Sequence, residues 1–248
     1  VILHALQAPY TLNKLCTVIS FWESKMGKDI ELTTTDDHNL NAYKAEPPSK
    51  AKGGIVIIQE IFGVNQHIKN VTDQFAENGY TSIAPALFDR VERNIELGYG
   101  QSDFQKGKEI RGGLNDDAII ADVQAAINEI STAGKVGIVG YCFGGFVSWL
   151  AACHCENLSA ASTFYGGGIH AKRGDKPKVP VILNFGDNDG GIPLSQVHDI
   201  KEAHPDIPCY VYDDAGHGFC CEDRESYNSG ACIRAHERTL AHFSANIG

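Results

Sequence analysis

Short apolar runs alternate with stretches of helical period along most of the chain. Asp29 to Thr35 and Leu40 to Ala45 mix polar and apolar positions and flank Asp36-Asp37-His38-Asn39, which predicts two strands joined by a turn. Gly54-Ile55-Val56-Ile57-Ile58 is apolar throughout, the pattern of a strand covered on both faces. Gln66 to Asn78 is amphipathic at helical spacing and stops at Gly79, after which Tyr80 to Ala84 reads as a strand. Asp116 to Thr132 is a predicted helix whose apolar face is Ala118, Ile119, Ala121, Val123, Ala126, Ile127 and Ile130. Lys135 to Val139 is a strand and Phe146 to Ala152 a helix. Ala160 to Tyr165, Val179 to Phe185 and Cys209 to Tyr212 are later strands, and Ser195 to Ala203 and Ala231 to Ala245 later helices. This alternation predicts an α/β fold with a mainly parallel central sheet and helices on both faces. Phe88 to Gly113 is long, charged and glycine-bearing, and reads either as a cover over the active site or as a solvated excursion.

Composition narrows the class. The chain has 248 residues, enough for one sizeable core, with 43% hydrophobic and 21% charged residues, an ordinary globular balance. A net charge of −10 argues against nucleic acid and anionic membranes as partners, though a local arginine can still receive an anionic substrate. No stretch approaches the ~20 apolar residues of a membrane span. The only methionine is Met26, so residues 1–25 are expected to form an extension outside a catalytic domain of residues 26–248. Leu15 to Trp22 lacks the basic flank and cleavage site of a signal peptide. None of the eight cysteines forms a CxxC pair or matches a zinc spacing, so no metal and no cofactor are expected. Free thiols fit a cytoplasmic protein. The expected partner is a small molecule, and the chain is expected to be a monomer or a small homo-oligomer.

Chemistry concentrates in Gly140-Tyr141-Cys142-Phe143-Gly144-Gly145, between a strand and a helix. A strand, a sharp glycine-flanked turn and a helix build a nucleophile elbow, here with cysteine where serine is usual. In parallel sheets ligands bind beyond the carboxyl ends of strands. Two later strands run into acids and a histidine there: one into Gly186-Asp187-Asn188-Asp189, the other into Asp213-Asp214-Ala215-Gly216-His217. The order nucleophile, acid, histidine is that of α/β-hydrolases. His217 would take and return the thiol proton, and Asp189 or Asp187 would hold its tautomer. Gln59-Glu60-Ile61-Phe62-Gly63 follows another strand, making the backbone N–H groups of Ile61 and Phe143 the oxyanion-hole candidates. Glu60 falls beside the thiol, where a carboxylate disfavours a resting thiolate.

These segments resemble the dienelactone hydrolases (carboxymethylenebutenolidases). The matching residues are Gln59 to Asn65, Gly140 to Gly145, Gly186-Asn188-Asp189-Pro193 and Gly216-His217-Gly218-Phe219. The resemblance spans roughly residues 26 to 246. It implies an α/β-hydrolase with a Cys142, Asp189, His217 triad, and a Glu60 that holds the resting thiol until substrate arrives. It also implies arginines for a substrate carboxylate, one shortly after the triad histidine. Here Phe219-Cys220-Cys221 stands at that place, leaving Arg224 and, from the other side, Arg90 and Arg93 as candidates. The expected activity is cleavage of a small ester or lactone through a thioester acyl-enzyme, with only modest preference for an acidic lactone. The alternatives are a general esterase or thioesterase, or a non-hydrolytic redox-responsive thiol or binding protein.

Overall fold

The computed structural model describes residues 26–248, so the extension expected over residues 1–25 lies outside the described residues. The first two strands, β1 (Gly27–Thr33) and β2 (Asn39–Ala45), pair antiparallel across the predicted turn. Then β3 (Gly54–Ile58), α1 (Gln66–Glu77) and β4 (Thr81–Pro85) begin the parallel part. After it come α2 (Gln101–Gly112), α3 (Asp116–Ile130), β5 (Val136–Tyr141), α4 (Phe143–His154) and β6 (Leu158–Phe164). The chain closes with β7 (Val181–Gly186), α5 (Leu194–Ala203), β8 (Cys209–Tyr212) and α6 (Ser229–Asn246). The eight strands lie in the order β1-β2-β4-β3-β5-β6-β7-β8, and β2 alone runs against the rest.

Every residue of β3, β4 and β5 is buried, on both pleat faces, so helices cover the middle of the sheet from both sides. Of α1 and α6, Phe75 and Phe243 meet with ring centroids 6.1 Å apart. The predicted elements are all present, with ends displaced by a few residues. Among the described residues no helix is long and apolar enough to cross a membrane.

The segment after β4 departs from the sequence reading. It holds a short 3₁₀ turn, Leu87–Arg90, and then α2, a helix that was not predicted. Only Gly107 and Ile110 of α2 are buried, too few apolar positions to reveal a helical stripe. The helix nevertheless packs tightly. A Cβ on Gly107 would overlap the Ile61 carbonyl, so α2 rests directly on the loop after β3.

Arg90 and Arg93, offered by the sequence as charges for substrate, serve the fold instead. Arg90 donates from Nε and Nη2 to the fully buried Asp122 carboxylate of α3, at 2.7–3.1 Å, and also pairs with Asp36 at 2.6 Å. Arg93 is half exposed and reaches Glu31 of β1 at 3.3 Å. A buried charge stripped of its partner is far costlier than a loosened surface pair. Arg90→Met should therefore lower unfolding free energy by about 3–5 kcal/mol, and Arg93→Met by less than about 1 kcal/mol. Urea titration of both variants checks this; equal losses would mean that the Asp122 contact is not a buried-charge interaction.

Candidate active site

β5 ends at Tyr141 and α4 begins at Phe143, so Cys142 alone turns the chain from strand to helix. Its backbone sits at φ 55° and ψ −114°, a sparsely populated region for a residue with a side chain. The surrounding glycines permit it. A Cβ would overlap the Gly144 carbonyl if placed on Gly140, the Ile58 carbonyl if placed on Gly144, and the Phe164 carbonyl if placed on Gly145. The Cys142 N–H donates to the Phe164 carbonyl at 3.0 Å, and the Cys142 carbonyl accepts from Gly145 N–H at 3.0 Å. Cys142 lines a pocket of about 440 Å³ together with Ile61, Phe143, Phe146, His217 and Arg111.

The loops after β7 and β8 bring the other groups. Sγ of Cys142 lies 3.0 Å from Nε2 of His217, and Nδ1 of His217 lies 2.8 Å from Oδ2 of Asp189. Asp189 is buried, and its second oxygen accepts from the N–H groups of Gly191 at 2.8 Å and Ile192 at 3.1 Å. Those bonds leave Oδ2 for the histidine. Asp187, the rival acid, is exposed, and its Oδ1 accepts from Ala215 N–H. Burial lowers the pKa of His217, but the charge on Cys142 and the hydrogen bonds to Asp189 and Cys142 outweigh it and carry it up to about 10.

β3 and β5 are neighbours with Ile58 opposite Gly140, so the Glu60-Ile61 loop lies beside the elbow. Phe143 is the first residue of α4, and its N–H has no intrahelical acceptor. Ile61 shares the pocket with it. Glu60 is 1% exposed, and Oε1 accepts from Nη1 of Arg224 at 3.1 Å, while Oε2 has no hydrogen-bond partner. No hydrogen bond joins Glu60 to Cys142; the thiol contact implied for this acid is taken by His217, and the acid by Arg224.

Arg224, one of the candidates from the sequence and the one that follows His217, is brought against Glu60. The intervening loop folds back through bonds from Cys221 N–H to the Gly218 carbonyl (2.9 Å) and from Arg224 N–H to the Cys221 carbonyl (3.1 Å). Arg93 is not brought there; it lies against β1.

The sequence reading missed two residues. Arg111, at the end of α2, holds its guanidinium 4.7 Å from the Phe143 ring centroid and 5.9 Å from that of Phe146. It is half-buried, and burial lowers its pKa. Among the described residues no carboxylate pairs with it. Spacing of Phe104, Gly107 and Ile110 by three was the one available signal, and it was faint. The other is His67 of α1, buried and with Nε2 unpartnered, which approaches Glu60 and Cys221 to within 4.8 Å. A histidine at the second position of an amphipathic helix carries no sign of that burial.

The sequence model of the dienelactone hydrolase family matches residues 40–247. A Synechocystis sp. protein named for carboxymethylenebutenolidase is 33% identical over 238 residues, covering 87% of this chain and 96% of its own length. The carboxymethylenebutenolidase of Pseudomonas putida is 28% identical over 221 residues, covering 85% of this chain and 93% of its own. Among solved structures, a Klebsiella pneumoniae protein described as a dienelactone hydrolase superposes with a TM-score of 0.75 at 27% identity, over 88% of this chain and 98% of that one.

Arg224 pairs with the buried Glu60 carboxylate and its charge also reaches Cys142, so removing it should leave the Glu60 charge unopposed at the site. Arg224→Met should slow iodoacetamide alkylation of Cys142 at neutral pH by roughly tenfold. In a Glu60→Gln background the same change should have little effect. Equal slowing in both backgrounds would show that Arg224 acts through packing rather than through Glu60.

Proposed function

The chain belongs to the dienelactone hydrolase family, and we propose that it cleaves a small ester or lactone with Cys142 as nucleophile, His217 as proton carrier and Asp189 as the group that orients it. It is an enzyme, a hydrolase of the α/β-hydrolase fold. The observation that carries the proposal is the continuous contact of Sγ with Nε2 at 3.0 Å and of Nδ1 with Oδ2 at 2.8 Å.

In this reading the thiol proton passes to Nε2 of His217 as sulfur adds to the ester carbonyl carbon. The N–H groups of Phe143 and Ile61 receive the oxyanion. Collapse breaks the C–O bond, and the leaving alkoxide takes the proton from His217. A thioester remains on Cys142. Neutral His217 then removes a proton from water, hydroxide adds to the thioester, and the carboxylic acid departs as the thiolate returns.

His217 takes and returns the thiol proton in the first half and must be a base towards water in the second, and its surroundings change to suit. The charge on Cys142 is the leading cause that raises its pKa, and acylation removes that charge. The imidazolium formed by the transfer from the thiol yields its proton to the leaving group as the thioester forms. Acylation needs the one proton that the Cys142–His217 pair shares, so its rate is lost as pH rises through the raised folded-state pKa; deacylation needs the neutral histidine as base, so its rate is gained with pH. With an unactivated alkyl ester in quenched flow, acylation should hold steady from neutral pH and fall near pH 10. Deacylation should rise through a lower midpoint. The acyl adduct should map to Cys142 by mass spectrometry and be absent from Cys142→Ala. An adduct elsewhere, or one shared midpoint for both steps, sinks the assignment.

Substrate choice rests on Arg111. A cation on an aromatic wall, half-buried and in no close ion pair (the Asp116 carboxylate on the same wall acts on it from farther off and is paired with Lys172), favours a substrate with a negative group a few ångströms from the scissile bond. This cation was invisible when only modest discrimination was expected. Arg111→Met should lower kcat/KM for an acidic lactone by roughly tenfold or more, given the worth of charge-assisted hydrogen bonds, and leave a neutral ester of equal size nearly unchanged. A parallel loss on both substrates would show that Arg111 only props the aromatic wall.

A further inference from the structure

Three residues beyond His217 the chain presses against α6, where a second group of ligating side chains converges. Cys220 comes from the loop, and Cys232 and His236 from α6. One ligand atom from each lies within 4.8 Å of the other two. Cys232 and His236 are one helical turn apart, which sets them on the same face. Cys220 is buried, whereas Cys232 and His236 are partly exposed, so the cluster has a route to solvent.

The backbone beneath these side chains is fixed on both sides. Cys221 N–H donates to the Gly218 carbonyl at 2.9 Å and Asn228 N–H to the Phe219 carbonyl at 3.0 Å. The Asn228 side chain in turn caps α6, accepting from Ala231 N–H at 3.0 Å. The imidazole is oriented too. Tyr141, the residue before the nucleophile, stands 3.3 Å from Nε2 of His236 through its hydroxyl, and the two rings stack with centroids 6.1 Å apart. Fixed ligands and a ring held by a neighbouring hydroxyl are the usual surroundings of a metal-binding histidine. The seven cysteines among the described residues are all free thiols, so both sulfurs are available.

We propose that Cys220, Cys232 and His236 bind one soft divalent ion of the zinc class, through two thiolates and one imidazole, with the fourth position open to solvent. Two sulfurs and a nitrogen form a donor set that such ions prefer over hard cations. On binding, the two thiols give up their protons, two metal–sulfur bonds and one metal–nitrogen bond form, and no electron moves. The ion ties the loop that carries His217 to α6. The neighbouring group of Glu60, His67 and Cys221 is a poorer candidate, since it is fully buried and Glu60 is already neutralised by Arg224. The expectation of no metal rested on pairs close in sequence, whereas this donor set forms only when α6 folds against the loop.

The test is cobalt(II) titration of the reduced, chelator-treated full chain. One equivalent should produce a thiolate-to-cobalt charge-transfer band with the intense d–d bands of a tetrahedral site, and zinc should displace it. Zinc should also raise the melting temperature of the wild type. Cys232→Ser and His236→Ala, each confirmed as folded by circular dichroism, should bind roughly tenfold more weakly or worse, and Cys153→Ser should behave as the wild type. Three results would overturn the proposal: no charge-transfer band in the folded wild type; a band that survives in both variants, which would put the ion elsewhere; or a Cys220–Cys232 disulfide under mild peroxide in a chain that takes up no cobalt. The bands are read without turnover, so their absence would leave the acyl-enzyme reading standing.

Discussion

A residue with a side chain held at φ 55° and ψ −114° costs on the order of 1–3 kcal/mol, and the arrangement around the pocket follows from meeting that cost at Cys142. The strand cannot continue, so the next residue must begin a helix. The helix begins so close to β3 and β6 that the residues facing their carbonyls must be glycines. Their absence of side chains lets Phe143 offer its N–H beside the sulfur rather than to a neighbouring turn. Relaxing the elbow would lower the local strain but swing Sγ away from His217.

Around this backbone, electrostatics is settled by pairs. Asp189 divides its two oxygens between loop N–H groups and the histidine. Glu60 has one oxygen on Arg224 and the other unpartnered. Arg111 lies against aromatic faces without a carboxylate. The site thus sets a compensated buried acid, Glu60, near a pocket whose wall carries Arg111 outside any close ion pair beside the paired Lys172 and Asp116, a local balance that the net charge of −10 conceals.

Most of the fold was legible because a buried parallel strand is apolar at every position, as β3 shows, and because turns between strand and helix need glycine. The elbow, His217 and the pair Asp187 and Asp189 could be found for a related reason, since each stands just past a strand end, where a parallel sheet presents side chains to a ligand; the choice of Asp189 over Asp187 came from the family resemblance. What stayed hidden depended on tertiary contact. α2 buries so little that its period is faint, and Arg111 was hidden with it. Arg224 was a candidate, but its pairing with Glu60 was hidden because loop folding does not show in spacing. Arg90 looked like a candidate for substrate because Asp122, its buried partner, falls on the face of α3 that the apolar pattern marked as hydrophobic.

Gly107 joins two of these observations. At this one point the backbone of α2 sits on the carbonyl of Ile61, without a side chain between them. The helix that supplies the pocket's arginine therefore also braces the backbone of Ile61, the residue proposed as an oxyanion donor. For directed evolution this divides α2 into two kinds of position. Residues facing solvent or the pocket mouth can be randomised to change substrate range, whereas position 107 has to remain glycine, because any larger residue would separate recognition from catalysis by the width of a methyl group.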